Sequence, residues 1–175
     1  MNHRNGRRNT DLESRKKELI EYLRTFDIVL FAMFLVFGTI GLVTLIVVGV
    51  PGLMFIIPAA VAFFNWLGKY LEASGLVGKL EKEGELDKVF SDFKNGEKFL
   101  GGRLIRGDFY IMSRGTGKVL KLSEVASISD HRKKNGFAGD SRQLLAEMED
   151  GRNYELTYLS LKGKDDEDIK RLCYK

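Results

Sequence analysis

Apolar and polar positions alternate in three distinct ways along this chain, and each way predicts a different kind of element. From Ile28 to Gly68 no residue carries a charge, a run of 41 positions dominated by Leu, Val, Ile and Phe. A helix rising about 1.5 Å per residue needs roughly 20 apolar residues to cross a hydrocarbon layer of about 30 Å, so the run is too long for one span and long enough for two. Gly49-Val50-Pro51-Gly52 divides it, because Pro presets φ and Gly accepts positive φ. The first span is Ile28–Val48, and the second runs from Leu53 past Trp66 and Tyr70 to Leu71, with aromatic and snorkelling residues at its end. A turn centred between Val50 and Pro51 sets Gly41 level with Ala60 and Gly38 near Phe63. Gly38 and Gly41 on one helix and Ala59 and Ala62 on the other are the predicted packing residues, since lipid supplies no hydrophobic drive and small residues permit close approach. Pro58 should bend the second span, and Asn65 should bond locally.

Residues 1–9 lack apolar periodicity and are expected to be disordered. Thr10 with Glu13 forms a capping box that opens a juxtamembrane helix over 10–27, whose apolar face carries Leu12, Leu19, Ile20, Leu23 and Phe26. That helix either lies on the membrane or continues as a charged stem into the first span. After the hairpin, assigned to 28–71, residues 72–95 read as a helical connector. Leu76, Val77 and Leu80, then Leu86, Val89, Phe90 and Phe93, recur there at spacings of three and four, an apolar face that packs on the following domain or on another copy.

From residue 96 to 175 the texture changes again, to short apolar runs with Gly-rich punctuation that predict an antiparallel β domain. Six runs stand out: Phe99–Ile105, Phe109–Ser113, Lys118–Leu122, Val125–Ser129, Gln143–Glu149 and Asn153–Ser160. Asp150-Gly151 joins the last two as a hairpin. A polar loop spans Asp130 to Ser141, and a closing helix starts at Asp165, as N-cap, with Ile169, Leu172 and Cys173 as its buried stripe.

Composition and charge narrow the classes. In 175 residues there are 19 Gly in no repeat and a single cysteine, which excludes a collagen-like chain and a disulfide scaffold. Arg4, Arg7, Arg8, Arg15, Lys16, Lys17 and Arg24 precede the first span; Lys69, Lys79, Lys82 and Lys88 follow the second, and the connecting turn has no charge. Cations stay on the cytoplasmic side, so the chain is expected in the cell (plasma) membrane with two spans, an uncleaved anchor and both termini cytoplasmic. No ionisable residue lies within the run, which argues against a transporter relay, and a four-residue turn cannot build a selectivity filter.

The run Gly102-Arg103-Leu104-Ile105-Arg106-Gly107-Asp108-Phe109-Tyr110-Ile111-Met112, the segment Gly117–Ile128 and the closing helix resemble the bacterial pleckstrin-homology-like domains, often carried on a pair of spans. The resemblance covers about 75 residues and rests on strand-and-turn order. It implies an α+β membrane protein: a two-helix hairpin plus a PH-like antiparallel half-barrel with a C-terminal helix. The full fold has seven strands where six are counted, so either Phe99–Ile105 is broken at Gly101-Gly102 or the resemblance is partial.

Candidate chemistry is sparse. Gly115-Thr116-Gly117-Lys118 lacks the upstream Gly of a phosphate loop and precedes a strand, so it reads as a hairpin turn. His3, His131 and Cys173 have no zinc spacing, no carboxylate pair is placed for catalysis, and neither an enzymatic role, a cofactor nor a metal is expected. The best candidate is the basic stretch containing Arg132, Lys133 and Lys134 with Phe137 at its tip, suited to a lipid headgroup or a partner. The near-balanced charge after the hairpin argues against nucleic acid. The expected function is that of a membrane-tethered binding or scaffolding module meeting anionic lipid headgroups or a membrane-associated protein. The alternative is a subunit of a homo-oligomeric pore or transport-associated complex.

Overall fold

The computed structural model describes residues 3–24, 27–114, 116–133 and 140–173. Five helices and seven strands follow in the order α1 (His3–Leu23), α2 (Asp27–Val48), α3 (Leu53–Lys82), α4 (Leu86–Asn95), β1 (Glu97–Phe99), β2 (Leu104–Arg106), β3 (Tyr110–Ser113), β4 (Lys118–Lys121), β5 (Val125–Lys133), β6 (Ser141–Met148), β7 (Asn153–Tyr158) and α5 (Asp166–Cys173). The fold class is α+β.

The two apolar helices, 22 and 30 residues long, are each long and apolar enough to cross a membrane. They run antiparallel, with a register that differs from the sequence expectation by one helical turn. Gly41 faces Ile56 rather than Ala60, and Gly38 faces Ala59 rather than Phe63. Phe34 meets Phe63 (centroids 5.1 Å) and Phe31 meets Trp66 (5.3 Å) in the same register. The physical reason lies in the turn. Gly49, at φ +83°, makes the reversal, and Val50-Pro51-Gly52 already winds as a 3-10 turn that leads directly into α3. The pivot therefore sits earlier in the chain than the Val50–Pro51 bond. Close approach is real: a Cβ on Gly52 would stand 2.3 Å from the Leu45 amide nitrogen, and one on Gly41 would stand 2.8 Å from Ile56 Cγ1. Ala59 and Ala62 are buried. Helix α3 runs through Pro58, and Asn65 Nδ2 donates to the Val61 carbonyl at 2.9 Å.

Helix α1 begins at His3, seven residues before the expected Thr10 start, over positions expected to be disordered; once a helix exists, each further residue adds a hydrogen bond without a new nucleus. Its C-terminal half lies antiparallel along the far half of α3. Lys16 Nζ meets Glu81 at 2.7 Å, and the Arg24 guanidinium sits 5.0 Å from the ring centroids of both Trp66 and Tyr70. Gly75 and Gly78 do not break α3. The break comes at Gly84, whose φ of +71° no β-carbon-bearing residue adopts cheaply.

The β domain forms two antiparallel sheets, β1-β2-β3-β4 and β5-β6-β7, which do not close into a barrel. Seven strands appear because the run expected over Phe99–Ile105 breaks at Leu100–Gly102, where Leu100, Gly101 and Gly102 all take positive φ. Leu100 is held there by Asp168, whose Oδ2 accepts from its amide at 2.6 Å. Strands β5 and β6 are longer than expected: β5 runs on to Lys133 and β6 starts at Ser141, so both ends of the predicted Asp130–Ser141 loop are strand. Their extension is braced by Arg142, which meets Asp130 at 2.5 Å and Asp166 at 2.7 Å. Asp165 precedes α5 as expected, but its carboxylate accepts from the Ser160 amide (2.7 Å) and from Arg103 rather than from its own first turn.

Two hydrophobic cores share the first sheet. On its inner face Phe99, Leu104, Ile111 and Leu120 pack on Leu144, Leu156, Ile169 and Leu172 from the second sheet and α5. On its outer face Ile105, Tyr110 and Met112 pack on Leu19, Leu23, Val77, Leu80, Leu86 and Val89 from three helices. The connector's apolar face therefore meets both α1 and the domain that follows.

Candidate functional site

The sequence-nominated cations fall differently from expectation. Arg132 and Lys133 lie on β5, opposite Arg142 and Ser141, rather than in a loop. Arg132 reaches Asp140 at 3.1 Å, so part of its charge is answered within the hairpin. Lys134 and Phe137 lie outside the described residues. The nominated packing residues stay in the hairpin, where Gly38, Gly41, Ala59 and Ala62 serve helix contact.

A second concentration of charge emerges where the helices meet the β domain. A pocket of about 630 Å³ opens there between α1, α4 and the outer corner of the first sheet. Its aromatic wall is Tyr22 and Phe93, with ring centroids 5.1 Å apart. Three elements send cations to its rim: Lys94 from α4, Lys98 from β1, and Arg114 at the end of β3. Glu18 is its one carboxylate, and it pairs with Lys94, whose ammonium also lies 5.5 Å from the Phe93 ring centroid. Gly101 and Gly102 form part of the edge, and a Cβ on either would touch nothing within 4 Å. Ile105 completes the floor.

Burial holds the Tyr22 hydroxyl pKa above the usual phenol range, with the Arg114 charge opposing, so the group stays a neutral donor. It donates to the Met112 carbonyl at 3.4 Å. A separate groove of about 520 Å³ between α1 and α3 has balanced charge: Lys16, Lys17 and Arg24 against Glu13, Glu21 and Glu81. Hydrogen bonds from Lys16 to Glu13 and then Glu81 raise its pKa, so that groove presents a paired rather than an open cation.

Asp92 fixes the corner of the sheet behind α4. It is 4% exposed, and its Oδ2 accepts from the amides of Phe109 and Tyr110, each at 2.8 Å. Gly107 makes this possible, since a Cβ there would stand 2.1 Å from the Asp92 carboxyl carbon. Beside it, Tyr110 donates to Glu85 Oε2 at 2.5 Å, and Lys88 and Lys121 flank the same carboxylate.

Sequence reasoning nominated none of Tyr22, Lys94, Lys98 or Arg114, which come from separate elements of the chain. The one local signal was a Gly-Gly pair between Lys98 and Arg103. Among the described residues no group of three or more His, Cys, Asp or Glu side chains is arranged to hold a metal ion. No family model, curated protein or solved structure matches the chain.

Proposed function

We propose that this chain is an integral protein of the cell membrane, with both ends cytoplasmic, in which a PH-like β domain serves as a tethered binding or scaffolding module. The observation that carries the reading is the continuity of α3, whose first half lines the apolar hairpin and whose second half supplies Ala73, Val77 and Leu80 to the core shared with the sheet. A domain joined to its anchor by a buried core, rather than by a loose linker, presents its surfaces at a set height and orientation.

Membrane insertion is supported by where the apolar side chains point. Ile46, Val50 and Met54 are about three-quarters exposed, far more apolar surface than a water-soluble monomer leaves uncovered. Arg24 between Trp66 and Tyr70 fits the headgroup level, where cations and amphipathic rings collect. The PH-like reading is supported by a four-stranded and a three-stranded antiparallel sheet followed by a single helix. A binding role fits better than a pore. Thr39, Thr44 and Asn65 turn their polar groups onto the carbonyls of Leu35, Ile40 and Val61, and so offer little to line a water path.

Cross-linking of the full chain in native membranes, followed by pull-down and identification, tests this reading. A second protein in fixed stoichiometry is the expected result. Recovery of the chain only with itself, in a ladder of discrete sizes, would overturn the adaptor reading in favour of the homo-oligomeric alternative.

A further inference from the structure

We infer that the pocket between α1, α4 and the outer corner of the first sheet is a binding site for a phosphate-bearing ligand with an apolar or planar body. The inference rests on the tethered-module reading and names what the module holds.

Three features converge on that chemistry. The rim brings Lys94, Lys98 and Arg114 together from three separate elements against one carboxylate, Glu18, leaving a net positive mouth. A phosphate group presents its anionic oxygens in a tetrahedral spread and can engage cations from several directions at once, which a planar carboxylate does less well. The glycine edge, open beyond Gly101 and Gly102, lets a ligand approach the main chain where any other residue would stand between. The Tyr22–Phe93 wall supplies the apolar contact that holds the rest of the ligand, and about 630 Å³ lies within the range of small-molecule sites.

Just past Arg114 of the pocket wall, the chain touches α1 and the part of α3 that follows Tyr70. Lys118, at the start of β4, reaches Glu72 of α3 at 3.2 Å, two residues beyond Tyr70. A Cβ on the neighbouring Gly117 would lie 3.5 Å from the Leu23 carbonyl. A phosphate could thus arrive from the headgroup layer or from solution, and the shared chemistry is the same.

Glu18 gives the inference a distinctive sign. It already pairs with Lys94 and so competes with an incoming phosphate for that ammonium. Removing its charge should therefore tighten binding, whereas loss of a merely structural ion pair would not. Lys98 is exposed and belongs to neither core, so its charge can be reversed without disturbing the fold.

The test uses the full chain in nanodiscs and follows hydrogen exchange of residues 98–106, in phosphatidylcholine discs titrated with inorganic pyrophosphate and in discs containing phosphatidylglycerol. Protection by pyrophosphate assigns a soluble ligand; protection in the phosphatidylglycerol discs alone assigns a lipid headgroup. In either case Lys98→Glu should weaken the effect about tenfold, a change of one decade in the dissociation constant, and Glu18→Gln should strengthen it several-fold. Absence of protection by both probes overturns the inference, as does protection unchanged in Lys98→Glu. Residues 73–90, in the joint, should be protected with or without probe. Strong protection there with no probe effect removes the ligand and leaves the tethered domain standing, whereas rapid exchange there removes the tether itself.

Discussion

The inner and outer cores share one sheet but differ in what they join. Leu104 and Ile111 point inward to the second sheet and α5, whereas their neighbours Ile105 and Met112 point outward to α1, α3 and α4. Strand alternation normally leaves one face of an antiparallel sheet for water. Here β3 is buried along all four residues, so the sheet is the middle layer of three. The inner core makes the β domain, and the outer core joins it to α1, α3 and α4. A fragment cut at the start of the domain would therefore keep the first core and expose the second.

The largest expected effect falls on the residue that closes the outer layer. Asp92→Ala should strip the amides of Phe109 and Tyr110 of their buried acceptor, at about 1–3 kcal/mol for each unsatisfied group. Its signature is regional: faster hydrogen exchange at 107–112 and in α4, with β6 and β7 much less affected. Asp92→Asn keeps one acceptor oxygen and should lose less. Equal loss in both cores would mean that the sheet and helices unfold as one unit, and the distinction between the cores would fail.

Much of this organisation was legible in the sequence, and the failures share a cause. The uncharged run located the hairpin, and the spacing of Val77, Leu80, Leu86 and Val89 marked a face that had to be covered. What could not be read was long-range or depended on one backbone angle. Asp92 resembles any solvated helix carboxylate until the 107–110 hairpin is folded against it. Leu100 gives no local sign of its φ of +55°, which needs Asp168 from the far end of the chain. The hairpin register slipped by one turn because it hung on which residue makes the reversal, and Gly49 rather than Pro51 does so. The pocket cations remained hidden because Lys94, Lys98 and Arg114 meet only when α1 and α4 are packed on the first sheet.

Next in size are the glycines of the hairpin, which sharpen the contrast between a region packed by small residues and one packed by large ones. Gly52→Ala drives a methyl into the Leu45 main chain and should separate the helices near the turn. Gly41→Ala meets the Ile56 side chain at 2.8 Å and its backbone nitrogen at 3.0 Å, an overpacking of about 1–3 kcal/mol. Gly38→Ala finds ordinary contact at 3.8–3.9 Å and should be tolerated. Disulfide formation between Cys residues placed at Phe34 and Phe63 would report the pairing. The order Gly52, Gly41, Gly38 should hold, and a harmless Gly41→Ala together with a damaging Gly38→Ala would restore the register expected from the sequence.

The smallest effect is a pH dependence confined to the outer core. The Tyr110 hydroxyl, and after it the charges of Lys121 and Lys88, hold the Glu85 carboxyl below its ordinary value of 4.5. A carboxyl depressed by folding stabilises the folded state in full above that value, and the contribution fades as pH falls through the lower folded one. Burial first and then Glu85 raise the Tyr110 pKa above 10.0, so the phenol's contribution is present below pH 10 and fades only as pH rises through the higher folded value. Between those limits the bond is a neutral donor facing a carboxylate. Acidification below about pH 4.5 should then speed exchange at Tyr110 and in α4 before it touches β6, and Glu85→Gln should flatten that early response. The same acid response in Glu85→Gln would show that a group other than Glu85 governs how the helices stay on the sheet.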